Sequence, residues 1–137
     1  MLRDDAGHSL IERHMLTQLR EVAEYARIVL VNGPRQAGKT TLLEQLHIEL
    51  GGWLRSMDVD IERASARADP EGYAISAPRP TFLDEVQRVG DPLILAIKTV
   101  TDRDRRPGQF FLSGSTRFLT VPTISESLAG RVAILDL

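Results

Sequence analysis

The sequence contains no cysteine and only three histidines among its 137 residues. The absence of cysteine excludes disulfide bonds, zinc sites with thiolate ligands and cysteine nucleophiles. His8, His14 and His47 lack a metal-site spacing with acids or with one another, so we interpret them as solvated helix positions. The composition therefore argues against thiol chemistry and against a structural zinc site.

Long hydrophobic runs and an excess of either charge are also missing. No apolar stretch approaches the ~20 residues of a membrane helix, and the polar N-terminus lacks the charged and apolar regions of a signal peptide. The formal net charge of −2 predicts no general affinity for polyanions, so nucleic acid is not an expected partner. We expect a cytoplasmic, single-domain protein over residues 1–137, without membrane contact and with a helical lead-in over residues 1–26.

One octapeptide, residues 33–40, fits the pattern G-x-x-x-x-G-K-[ST] of a phosphate-binding loop. The β-branched segment 27–32 before it is typical of a buried parallel strand, and residues 41–46 after it favour a helix. A chance match in a loop without function is the alternative, and the order of strand, loop and helix argues against it. The segment therefore predicts a site for a nucleoside triphosphate.

Each part of this loop has a separate role in holding phosphate. Glycines let backbone N–H groups converge without side-chain bulk, and the helix N-terminus adds positive potential. We expect Lys39 to reach the β- and γ-phosphates of ATP and the Thr40 hydroxyl to ligate Mg²⁺. The predicted nucleotide-binding residues are Gly33, Pro34, Arg35, Gln36, Ala37, Gly38, Lys39, Thr40 and Thr41.

A pair of carboxylates, Asp84 and Glu85, ends the apolar strand candidate over residues 79–85 and resembles a Walker B motif. Because the carboxyl ends of parallel strands meet at one edge of a sheet, we expect Asp84 beside the loop, holding Mg²⁺ through its water shell. Glu85 is then placed to orient or deprotonate the attacking water. The alternative is an ordinary strand end with solvated acids.

A further strand candidate, residues 53–57, lies between the loop and Asp84, so the acidic pair falls on the third strand. This arrangement resembles the additional-strand, catalytic-glutamate division of P-loop NTPases, which includes AAA-type and STAND-type ATPases. The resemblance implies a γ-phosphate sensor at the end of strand 109–115, where Ser113 is the first candidate and Ser115 the second. A Ser-Gly-Ser turn is the alternative. Arg131, before the fifth strand candidate 132–137, is a candidate arginine finger, with a surface ion pair as the alternative.

Four blocks together closely resemble one family, AAA_14, prokaryotic AAA-like ATPases that usually carry a DUF4143 domain behind the ATPase. The blocks are residues 32–43, 83–88, 112–115 and 125–131. The family commonly has threonine where this chain has Ser113, a change that keeps the hydroxyl. Since the family continues well past the fifth strand and this sequence stops at Leu137, we expect an ATPase core without its C-terminal part.

The expected fold is a three-layer α/β P-loop NTPase with a mainly parallel five-stranded sheet in the order 5-1-4-3-2 and helices on both faces. The expected function is hydrolysis of ATP with Mg²⁺, with Glu85, Lys39, Arg131 and Ser113 as catalytic candidates. The alternative is a nucleotide-dependent switch with little or no hydrolysis; a small-molecule kinase fits less well because Asp84-Glu85 suits water activation. Besides ATP and ADP, we expect a second copy of the chain as a partner, through the edge strand 132–137 or an arginine finger.

Overall fold

A parallel five-stranded sheet in the order β2-β3-β4-β1-β5 organises the protein. The computed structural model describes residues 10–34, 38–115 and 132–137. The strands are β1 (Ile28–Asn32), β2 (Trp53–Ser56), β3 (Thr81–Asp84), β4 (Phe110–Gly114) and β5 (Val132–Asp136). Read from the other edge, this order is 5-1-4-3-2, which confirms the predicted topology.

Helices cover both faces of the sheet. They are α1 (Leu10–Ala23), α2 (Lys39–Leu50), α3 (Asp60–Ala68), α4 (Pro70–Ser76) and α5 (Asp91–Arg103), with a 3₁₀ turn at Val86–Arg88. α1 lies in the helical lead-in expected over residues 1–26, and α2 contains the segment 41–46 and extends beyond it at both ends. None of the helices in the described part of the chain is long and apolar enough to cross a membrane.

The alternation of side chains along the strands divides the core into two layers. On one face, Ile28 and Leu30 of β1 belong to a buried cluster with residues of α3, α4 and α5. On the other face, Val29 and Val31 belong to a cluster with residues of α1 and α2. The central strands β1, β3 and β4 are buried along their whole length, which explains their nearly continuous apolar sequences.

The stacking of Phe82 on Phe111 ties the two neighbouring central strands β3 and β4 together. The ring centroids lie 4.8 Å apart at an interplanar angle of 13°, and both side chains are fully buried. Such pairs contribute roughly 0.5–1.5 kcal/mol beyond their buried area. Both phenylalanines lie two residues before the polar end of their strand, so this contact helps to fix the position of Asp84 relative to Ser113.

Candidate nucleotide-binding site

The predicted site residues that the structure describes meet at the carboxyl edge of the sheet. There β1 runs into Gly33, β3 ends at Asp84 and β4 carries Ser113 near its end. β1 and β3 both pair with β4, so the three strand ends are neighbours although far apart in sequence. Parallel α/β sheets bind ligands at this edge.

The loop turns into α2 through Gly38, whose backbone adopts the left-handed conformation with φ 94°. Since L side chains rarely take this conformation, glycine is the residue that permits the turn. Leu42 N–H donates to the Gly38 carbonyl at 3.1 Å, which starts the helix. Gly33, Pro34 and Thr41 also lie in the described part, whereas Arg35, Gln36 and Ala37 lie outside it, so their contacts with phosphate stay a prediction.

Lys39 is buried in the centre of the site, with 3% of the residue exposed. Its Nζ donates to the carbonyl oxygens of Gly33, at 2.7 Å, and of Gly114, at 2.9 Å. A buried ammonium group is stable only with such partners. Both carbonyls belong to backbone at the strand ends, so the charge of Lys39 is held between the loop and the end of β4.

Thr40 and Asp84 present two oxygen ligands side by side. Thr40 Oγ1 donates to Asp84 Oδ2 at 2.7 Å, and the other carboxylate oxygen of Asp84 accepts a hydrogen bond from Ser113 Oγ. A hydroxyl and a carboxylate are the hard oxygen donors that Mg²⁺ takes alongside water and substrate phosphates. Among the described residues there is no cluster of three or more acidic, histidine or cysteine ligands. A Mg²⁺ ion at this place would therefore take most of its ligands from water and from the phosphates of a nucleotide.

Glu85 adopts a left-handed backbone conformation, φ 57° and ψ 49°, and is the single non-glycine residue with positive φ in the described part of the chain. Its N–H donates to Ser113 Oγ at 2.8 Å. Its carboxylate is mostly buried, with Oε1 3.8 Å from Lys39 Nζ. Backbone strain of this kind collects at functional sites, where the surrounding contacts compensate for it.

Ser113 therefore joins the two acids: its hydroxyl accepts from Glu85 N–H and donates to Asp84. Ser115 follows, half-buried, just after β4. The geometry shows Ser113 organising the acidic pair, and a sensor role for either serine stays a prediction. Arg131, like the rest of the block that contains it, lies outside the described residues.

One neighbour of the site was not singled out from the sequence. Gln87 Nε2 donates to Glu85 Oε2 at 2.5 Å, a contact between residues two positions apart. The signal available was its place in the block Asp-Glu-x-Gln-Arg. The spacing alone does not reveal the contact. It forms because the chain turns after β3, and this turn brings the two side chains together.

A family model described as an AAA domain, AAA_14, matches residues 25–137. The chain belongs to the AAA_14 family. The match covers the loop, both acids and β5, so it confirms the resemblance inferred from the sequence motifs. AAA_14 membership together with the observed sheet order places this chain among P-loop NTPases of the AAA type.

The AAA_14 chain is 36% identical over 132 residues to an uncharacterized Mycobacterium tuberculosis protein, Rv2008c, and equally to its Mycobacterium bovis counterpart, Mb2031c. The alignment covers 93% of this chain and 29% of each relative. The chain thus spans less than a third of the length of the curated relatives it matches, and what those longer proteins do as a whole does not transfer to it.

Solved structures share the fold at low sequence identity. A DNA replication initiation factor superposes with a TM-score of 0.62 at 12% identity, covering 93% of this chain and 45% of that one. A Thermotoga maritima RuvB variant superposes with a TM-score of 0.56 at 24% identity, covering 91% of this chain and 42% of that one. At such identities the likeness extends to the P-loop NTPase fold and no further.

Proposed function

We propose that this chain binds ATP together with Mg²⁺ and hydrolyses the γ-phosphate. The observation that carries the proposal is the convergence of four side chains at the carboxyl edge of the sheet: Lys39, Thr40, Asp84 and Glu85. They come from a loop-helix junction and from the end of a strand 44 positions later, and each has the chemical character that phosphoryl transfer to water requires.

Binding rests on the loop and on Lys39. The backbone N–H groups of Gly33 and of residues 38–41 at the N-terminus of α2 are the donors we propose for phosphate oxygens, together with those of residues 35–37, which lie outside the described part of the chain. Lys39 already lies at the inner side of the loop with its ammonium group on two carbonyls. Phosphate oxygens are stronger acceptors than neutral carbonyls, so Lys39 exchanges at least one of these contacts for the nucleotide.

Thr40 and Asp84 would hold Mg²⁺, which when bound neutralises charge that develops on the phosphate oxygens. Their adjacent oxygens fit the ligand preference of that ion. Ser113 keeps the Asp84 carboxylate turned toward Thr40 by donating to its other oxygen. The chain's own contribution is thus a preset pair of oxygen ligands.

Glu85 orients the attacking water and accepts its proton. What supports this role is that the Glu85 carboxylate is mostly buried, with Oε1 3.8 Å from Nζ of Lys39, the proposed phosphate-binding lysine. A general base contributes roughly 10²–10⁴-fold in rate. Arg131 is proposed as an arginine finger, in cis or from a second copy of the chain, and the exposed edge of β5 as a further route to self-association. Because its substrate is ATP, we place the protein in the cytoplasm.

Steady-state phosphate release by the wild type and by Glu85→Gln tests this function. The substitution removes the basic carboxylate and keeps the size of the side chain, so we expect the rate to fall by roughly 10²-fold or more while ATP still binds. Asp104→Asn, a matched acid-to-amide change on the far side of the sheet, serves as the control. Equal rates in the wild type and in Glu85→Gln would reject hydrolysis through this site and favour a nucleotide-dependent switch.

A further inference from the structure

The side chain of Glu85 is oriented by contacts with neighbouring residues. Its N–H is held by Ser113, but this bond fixes only the main chain. Oε1 lies 3.8 Å from Lys39 Nζ, beyond hydrogen-bond distance. Among the described residues, Gln87 supplies the one hydrogen bond to the carboxylate, on Oε2.

The segment that carries Gln87 is anchored on both sides. Val86, directly before it, is fully buried in the core and accepts hydrogen bonds from the N–H groups of Val89 and Gly90. Arg88, directly after it, donates its N–H to the Glu85 carbonyl at 3.1 Å, and its own carbonyl accepts from Arg67 of α3 at 2.7 Å. The 3₁₀ turn therefore holds Gln87 in place with respect to Glu85.

The chemistry of the contact determines which end of the Gln87 amide faces Glu85. A carboxylate accepts hydrogen bonds and donates none, so the NH₂ group must point at it. The amide oxygen then points the other way and is buried without a hydrogen-bond partner among the described residues.

We propose that Gln87 is a positioning residue that acts through Glu85 in ATP hydrolysis. By holding Oε2, it keeps Oε1 turned toward Lys39, where the γ-phosphate and the attacking water meet. Without the donor, the carboxylate is free to rotate about its terminal torsions and to reach solvent. This inference rests on the proposed hydrolytic function and assigns to it an uncharged residue whose contact is with the Glu85 carboxylate.

Gln87→Met tests the role, because methionine keeps the length of the unbranched side chain and removes the donor. We expect kcat for ATP hydrolysis to fall about tenfold or more, the size of a lost hydrogen bond to a charged group, with the dissociation constant for ATP unchanged. Gln87→Leu, which removes the donor with a different apolar side chain and adds no charge beside Glu85, should show the same loss and covers the case in which the methionine variant fails to fold. Gln45→Met is the matched control: Gln45 also has a buried amide oxygen with no hydrogen-bond partner in the described part of the chain, but it belongs to α2 and not to the turn that carries Gln87.

A double-mutant cycle separates positioning from general structural damage. If Gln87 acts through Glu85, Gln87→Met should change the residual single-turnover rate of Glu85→Gln by less than about twofold. A structural defect would lower both backgrounds by the same factor, which would overturn the proposal. An unchanged or higher kcat in Gln87→Met, with Glu85→Gln impaired, would also overturn it and leave the hydrolytic function intact. If Glu85→Gln itself turns over like the wild type, the hydrolytic function fails first.

A readout independent of activity comes from the side-chain amide protons of Gln87 in a ¹⁵N-labelled sample, assigned by their absence in Gln87→Met. A hydrogen bond to a carboxylate sets them apart from solvated glutamine amides. We expect Glu85→Ala to return their chemical shifts to the solvated range, while Asp104→Asn leaves them in place. Shifts that do not respond to Glu85→Ala would contradict the contact on which the inference depends.

Discussion

Thr40 Oγ1 donates to Asp84 Oδ2 at 2.7 Å, across 44 positions of sequence. This contact joins the first turn of α2 to the end of β3 and presents the two oxygens to the same point. For Thr40→Val, which keeps the shape and removes the hydroxyl, we expect Mg²⁺-dependent nucleotide binding to weaken about tenfold, since the metal loses one ligand. The measurement is ATP affinity as a function of Mg²⁺ concentration.

Thr17→Val is the control, because Thr17 of α1 is exposed and its hydroxyl donates to the Arg13 carbonyl within its own helix. If Thr40→Val and wild type respond to Mg²⁺ alike, Thr40 is not a metal ligand.

Lys39 is expected to carry much of the affinity for ATP. Charge-assisted hydrogen bonds contribute about 1.5–3 kcal/mol, so Lys39→Ala should weaken ATP binding roughly ten- to hundredfold in a calorimetric titration. The protein should stay folded, since the substitution removes the buried charge together with its two hydrogen bonds, and the Gly114 carbonyl still accepts from the Gly33 N–H at 3.3 Å.

The other lysine of the chain, Lys98 of α5, pairs with Asp102 one turn away and provides the matched control. Lys98→Ala should bind ATP like the wild type. Equal affinity in Lys39→Ala would reject the phosphate-binding role of the loop lysine.

Ser113 is expected to matter for stability as well as for turnover. Its hydroxyl is fully buried and satisfies both Asp84 and the Glu85 N–H. Ser113→Ala leaves these groups without that partner. We therefore expect the free energy of unfolding to fall by about 1–3 kcal/mol. Chemical denaturation measures the change, and Ser56→Ala, which removes a hydroxyl from an edge strand, should cost less. A Ser113→Ala protein as stable as the wild type would show that the hydroxyl bonds are not maintained in solution.

The ion pair between Arg20 of α1 and Glu49 of α2 predicts a small pH dependence of stability. The hydrogen bond from Arg20 lowers the pKa of the Glu49 carboxyl below its ordinary value of 4.5. Because the folded pKa is depressed, the stabilisation is fully present above that ordinary value and is lost as pH falls through the folded pKa. The pair is exposed, with 46% and 38% of the side chains accessible, so we expect a contribution of only about 0.2–1 kcal/mol.

A double-mutant cycle of Arg20→Ala and Glu49→Ala, followed by urea unfolding at about pH 6 and about pH 3, measures this term. The coupling energy should shrink at the lower pH and at high salt. A coupling energy that grows as the pH falls would contradict the sign of the shift.

Much of the fold follows from local patterns. The segment 27–32 predicts a buried strand because its central residues 28–31 are all apolar, and the glycine loop after it predicts the turn into α2. The strand order required more than local reasoning, since it depends on which apolar faces meet; here the family motifs indicated it. Helix ends depend on such context too: Gly90 takes the cap position of α5, and Asp91 is its first helical residue.

The sequence by itself determined which side chains have the chemistry of the site. A glycine loop with Lys39 and Thr40, and two acids at a strand end, are recognisable because phosphate and Mg²⁺ require those residue types at short spacing. The tertiary structure alone decided how they are held: the carbonyls on Lys39, the Ser113 hydroxyl between the acids, and Gln87 on the Glu85 carboxylate. These contacts form because the sheet and the turn after β3 bring the residues close together. A hydrogen bond depends on distance and angle in space, and the spacing of residues along the chain does not encode either.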